Sequence, residues 1–97
     1  EDEMIFTKQA VNPFFNTGLM TWLNRRGARY LILCGVATNM VVESAARYAD
    51  DAGFQVIVVE NACASFREDW HEFSVSSILP LIGRVVSSSD LIRELSK

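Results

Sequence analysis

Residues 31–44 read LILCGVATNMVVES, and the fold turns on how this stretch is parsed. Leu31, Ile32, Leu33 and Cys34 form an unbroken apolar run, as a strand buried on both faces of a parallel sheet does. Gly35 lets the chain turn sharply, and Thr38 or Asn39 is placed to cap a new helix by accepting from its free N–H groups. From Val41 the apolar positions 41, 45, 49 and 52 recur at helical spacing, with Val42 and Ala46 widening the stripe. Glu43 and Arg47 occupy the opposite face as an i,i+4 pair in the favourable order. A strand that passes through a tight turn into a helix N-terminus is where α/β proteins place ligands. The N–H groups there converge, and the helix dipole favours negative charge.

The same pattern extends in both directions. Downstream, Gly53 ends the helix, QVIVVE at 55–60 predicts a strand, 61–67 a loop, and 68–81 a helix stopped by Gly83. Arg84–Ser87 reads as a short strand, and Ser88 or Ser89 as the cap of a last helix through Leu95. Upstream, Tyr30–Cys34 is preceded by a helix over 17–26, capped by Asn16 or Thr17, with Arg25 and Arg26 in its last turn and Gly27 as its left-handed stop. Before it, QAVNPFFN at 9–16 is a loop, Met4–Thr7 a short strand ending at Lys8, and Glu1–Glu3 a solvated loop end. Strand and helix therefore alternate four times, which predicts an α/β parallel sheet with helices on both faces.

Composition narrows the function classes. Ninety-seven residues make one small domain, and no apolar run approaches the ~20 residues that span a bilayer. A net charge of −3 leaves no basic footprint, so neither nucleic acid nor a membrane surface is an expected partner. Two cysteines do not build a disulfide framework; they read as small buried residues of an intracellular protein, and the expected location is cytoplasmic. His71 is the single histidine, reads as a partly exposed helix residue, and cannot build a metal site by itself. Without a glycine-rich phosphate loop, CxxC pair or HExxH motif, no cofactor and no metal are expected.

The longer stretch GVATNMVVESAARYADDAGFQVIVVENACAS resembles the signature region of the isochorismatase-like cysteine hydrolases. That family reads G-[VI]-x-[TS]-[ND]-x-C-[VC], then a helix, then a strand ending in an acidic residue and D/N-A-x-A-S. The match is dense except at one place: the family's nucleophilic cysteine falls on Val41. The resemblance implies a Rossmann-like three-layer fold with six parallel strands in the order 3-2-1-4-5-6. The four strands here correspond to the third to sixth, so residues 1–97 read as the C-terminal half of a single hydrolase domain, lacking the first two strands. Those strands sit between Met4–Lys8 and Tyr30–Cys34. They are expected from an N-terminal fragment or a neighbouring chain that completes the sheet, and a homo-oligomer is expected with them.

The resemblance also assigns roles. Lys8 ends the first strand where the family carries its catalytic lysine, which stabilises a thiolate and the charge developing on the substrate. Val36–Ala37 falls where the family holds a cis non-proline peptide. That peptide helps point backbone N–H groups, with the N–H of Val41, at the substrate oxyanion. Thr38 and Asn39 stand at the same turn beside the substrate. Phe14 and Phe15 read equally as core or as walls of the pocket after Lys8. Cys34 and Cys63 read as structural thiols.

A thiol at position 41 would gain thiolate character from the helix N-terminus and the lysine, whereas valine offers no nucleophile. Two small-molecule hydrolases fit the resemblance. One cleaves a C–N bond of an amide or carbamoyl compound through a thioester. The other lacks the cysteine and hydrolyses a vinyl ether with an aspartate as general acid and water as nucleophile. That aspartate lies on the family's first strand, outside residues 1–97. The alternative of another class is a catalytically inactive protein that binds a ligand or partner, since a fold does not by itself imply activity.

Overall fold

A computed structural model describes residues 3–97; the reading of Glu1 and Asp2 as a loop lies outside them. The order of elements is α1 (Leu19–Arg25), β1 (Tyr30–Val36), a π-wound turn (Thr38–Val42), α2 (Glu43–Asp51), β2 (Gln55–Ala64), α3 (Glu68–Phe73), β3 (Arg84–Val86) and α4 (Ser88–Leu95). Between α3 and β3 the helix continues through a π-wound segment (Ser74–Ile78) and a 3₁₀ turn (Leu79–Leu81) with Pro80 in it, so the helix expected over 68–81 forms with three windings. Among the described residues no helix is long and apolar enough to cross a membrane.

The three strands pair in parallel in the order β1-β2-β3. Tyr30 to Leu33 pair with Gln55 to Val58 in step; then Gly35 pairs with Cys63 and Val36 with Ala64. The chain thus advances two residues in β1 (33 to 35) against five in β2 (58 to 63). This bulge swings Asn61 out to α4, where its Oδ1 accepts from the Ser88 N–H (2.8 Å) and its Nδ2 donates to Ser88 Oγ (2.9 Å). Gly83, just before β3, sits where an added Cβ would lie 2.4 Å from the Val56 carbonyl oxygen, so the close approach of β3 to β2 requires glycine there.

The core lies between the sheet and the α2–α3 layer. Val42, Ala45, Ala46 and Ala49 turn their small side chains onto Val56 and Val58, while Val75 and the wholly buried Leu79 close the far side. Successive strand residues point to opposite faces. Val58 and Val59 are both buried, so β2 is covered on both sides, with α4 packing against it. In β1 only Leu31 and Leu33 pack on the core, and Tyr30, Ile32, Cys34 and Val36 remain exposed.

Several expectations need correction. Met4–Thr7 forms no strand: with β1 and β3 ending the sheet, no strand lies alongside it to take its hydrogen bonds, and Ile5 is exposed. The sheet of the described residues therefore has three strands, not four. Cys34 is exposed, because its face of β1 has no covering layer. Neither Thr38 nor Asn39 caps a helix; the N-cap is Ala37, and both side chains bond elsewhere. Gly18 rather than Asn16 or Thr17 is the N-cap of α1, although the Thr17 hydroxyl accepts from the Leu19 N–H (3.3 Å) at its first residue. Ser87 rather than Ser88 or Ser89 caps α4 by accepting from the Asp90 N–H (3.1 Å).

Candidate active site

The turn after β1 follows from its residues. Gly35 takes φ +135°, a backbone angle side chains rarely tolerate, and the Val36–Ala37 peptide is cis, as expected. The Ala37 carbonyl then accepts from both the Met40 and Val42 N–H groups (3.2 Å each), so the helix opens with an i→i+5 bond. Val41 lies between those two donors, in the first helical turn, where N–H groups lack intrahelical partners.

Beside this turn is a cavity of about 300 Å³ at the C-terminal end of β1, where parallel sheets place ligands. Its lining includes Lys8, Pro13, Cys34, Val36, Val41 and Ala45. The fold thus brings three of the expected site residues, Lys8, Val36 and Val41, to one cavity although they are far apart in the chain. The Lys8 ammonium is exposed and donates to the Ala10 carbonyl (2.9 Å), which bends the loop after it. A further cavity, about 260 Å³, lies at the opposite end of the strands beside Tyr30, Gln55 and Arg84, away from the turn.

The remaining expected residues lie outside that lining. Ala37 and Thr38 are buried within the turn, and Asn39 faces the loop after β2. Phe14 is part of the core and stacks on Tyr48 with ring centroids 5.1 Å apart; Phe15, its neighbour, is exposed. Cys34 lines the cavity with Lys8. Cys63 packs against the core, and burial pushes its thiol up from the ordinary range, only partly offset by a backbone hydrogen bond at Gly35.

Sequence reasoning missed the residues that hold the turn. Thr38 Oγ1 and His71 Nδ1 share a 2.7 Å hydrogen bond. Ser65 Oγ donates to Asn39 Oδ1 (2.7 Å) and accepts from the Asn39 N–H (3.4 Å). Glu43, beyond its expected pairing with Arg47 (3.3 Å), accepts from the wholly buried Ser74 hydroxyl. A signal existed for Ser65, which ends the ENACAS stretch; for His71 and Ser74 the signal is only a polar residue on a helix of otherwise unremarked spacing.

Comparison with known proteins bears on this geometry. Residues 1–90 match the family model described as the isochorismatase domain. The isochorismatase family protein YecD of Escherichia coli O157:H7 is 35% identical over 95 residues, covering 98% of this chain and 50% of YecD. Nicotinamidase 3 of Arabidopsis thaliana is 33% identical over 94 residues, covering 97% of this chain and 47% of that protein. The solved structure of an isochorismatase family protein from Burkholderia thailandensis superposes with a TM-score of 0.95 at 33% identity, over 99% of this chain and 50% of that one. The chain spans about half the length of the curated relatives it matches. Sequence, fold and the strand–turn–helix at Val36–Val42 agree: the chain belongs to the isochorismatase family, a family of hydrolases.

Proposed function

We propose that this chain forms one side of the active site of a small-molecule hydrolase that works without a covalent intermediate at position 41. The observation that carries this reading is that Val41 occupies the first helical turn of the cavity it shares with Lys8, while the one thiol in that lining, Cys34, belongs to strand β1 and not to the helix start. Cleavage of a C–N bond through a thioester needs a nucleophile at that position, whereas hydrolysis of a vinyl ether needs only an acid and a water. Lys8 pairs with an anionic group of the substrate, and the N–H groups of the turn at Val36, Ala37 and Val41 orient a substrate oxygen. The acid protonates the vinyl carbon β to the ether oxygen. Water adds to the resulting oxocarbenium carbon and returns a proton to the acid's conjugate base, and the hemiketal breaks its C–O bond to give a carbonyl compound and an alcohol. The acid comes from outside residues 1–97. The bare edge of β1 supports that division: its N–H and C=O groups and its exposed apolar face are matched to further strands from the rest of the domain or from a neighbouring chain.

The test is the intact mass of the protein, in an assembly that completes the sheet, during incubation with small anionic vinyl ethers and small amides. Hydrolysis of a vinyl ether with no mass added to the protein is the expected result. An acyl adduct on Cys34 or Cys63 would overturn the mechanism. Saturable binding with no hydrolysis would make the protein a ligand-binding member of the family.

A further inference from the structure

The turn that carries Val41 is anchored at three points to one short segment of the chain. Thr38 meets His71, Asn39 meets Ser65, and Glu43 meets Ser74. All three partners lie between residues 65 and 74, on the loop after β2 and the helical segment that follows it. Thr38 and Ser74 are wholly buried. The turn itself opens with an i→i+5 bond, Val42 N–H to the Ala37 carbonyl, in place of the regular ladder of an α-helix. A start of this kind is less constrained by its own backbone, and such windings gather at functional sites. The direction of its N–H groups therefore depends on what its side chains hold.

Among the three anchors, Thr38–His71 has the greatest leverage. Thr38 is the first residue of the turn, and its hydroxyl is sealed from water, so losing the imidazole leaves a buried polar group to be satisfied by moving the turn. His71 itself lines a separate cavity with Cys63, Ser65 and Glu68, and does not line the Lys8 cavity. We infer that His71 is a positioning residue: through the Thr38 hydroxyl it fixes the Thr38–Val42 turn and the direction of the Val41 N–H, without touching substrate. This rests on the reading that the turn carries the site.

The test uses Val41→Cys as a reporter in the sheet-complete protein, with iodoacetamide alkylation at each cysteine followed by mass spectrometry. Added to the reporter, His71→Phe and Thr38→Val each slow alkylation at position 41 by roughly tenfold, the scale of one lost hydrogen bond. The two together slow it no further, because they break the same link. His71→Asn, which keeps a polar atom near the place of Nδ1, restores most of the rate, and the circular dichroism spectrum of each variant stays that of the reporter protein as a control for the fold. In turnover, the His71→Phe loss falls on kcat with KM held. Unchanged alkylation in His71→Phe, additive losses in the double variant, or no rescue by asparagine would overturn the inference. Should His71→Phe not fold, the pair Thr38→Val and Thr38→Ser decides it in the same way: loss with valine and recovery with serine support the link, equal rates refute it. A reporter thiol that reacts no faster than Cys34 even with His71 in place counts against the site reading instead, since the ratio between variants still tests the link.

Discussion

Strands β1 and β2 are neighbours with comparably apolar sequences, and they end in different surroundings. In β2, Val58 and Val59 point to opposite faces and both are buried. In β1, Leu31 and Leu33 reach the core while Ile32 on the other face is 46% exposed and Val36 is 64% exposed. The difference is not in the residues but in what lies beside them. A strand's sequence states how much burial it can use; its neighbours decide how much it receives. The unused apolar face of β1 runs directly into the cavity that holds Lys8 and Val41, so the least covered part of the sheet is also the part with candidate chemistry.

Substitution energetics break or sharpen this contrast. Leu79→Ala, in the wholly buried region behind β2, should cost about 3 kcal/mol in denaturant unfolding, because the void cannot collapse. Ile32→Ala should cost under about 0.5 kcal/mol while its face of β1 is bare, and about 2–4 kcal/mol once further strands and helices cover it. Equal costs for Ile32→Ala in both states would mean that nothing packs on that face, and the contrast between the strands would lose its functional meaning.

The smallest expected effect concerns α4, the helix that covers β2 where β1 has none. Arg84 at the start of β3 holds Glu94 near the end of α4 (2.8 Å). The Arg84 hydrogen bond, and then its charge, keep the Glu94 carboxyl below the usual carboxylate range. A folded-state pKa lowered in this way adds stability that is complete above the ordinary glutamate value and is lost as pH falls through the depressed one. Both groups are solvent-exposed, so the effect is small and shrinks with added salt. Melting temperature followed from neutral pH down through the carboxylate range should fall slightly less steeply in Glu94→Gln than in the parent; identical slopes would remove the pair as a clamp on α4.

How much of this was legible in the sequence differs by range of interaction. The parallel sheet, the strand–turn–helix at 31–44 and the place of Lys8 beside Val41 follow from local patterns and from a dense motif. The strand expected at Met4–Thr7 does not follow, because pairing belongs to two segments and among the described residues no strand lies alongside this one. Thr38 and Asn39 have the right chemistry for capping, yet His71 and Ser65, 33 and 26 residues away, take their side chains. A local rule could not anticipate that competition. Cys34 reads as buried from its apolar neighbours and is exposed for the same reason as Ile32.

Lys8 gives the most direct test of the central claim, that the chemistry belongs to the cavity shared by Lys8 and the Val41 turn. Lys8→Met keeps the length of the side chain and removes its charge, and the residue is exposed, so the fold should be unaffected by circular dichroism. In the sheet-complete protein, kcat/KM for an anionic substrate should fall by about 100-fold or more, the scale of losing one charge-stabilising donor. A Lys8→Met protein that turns over such a substrate at the parent rate would place the chemistry elsewhere and contradict the account.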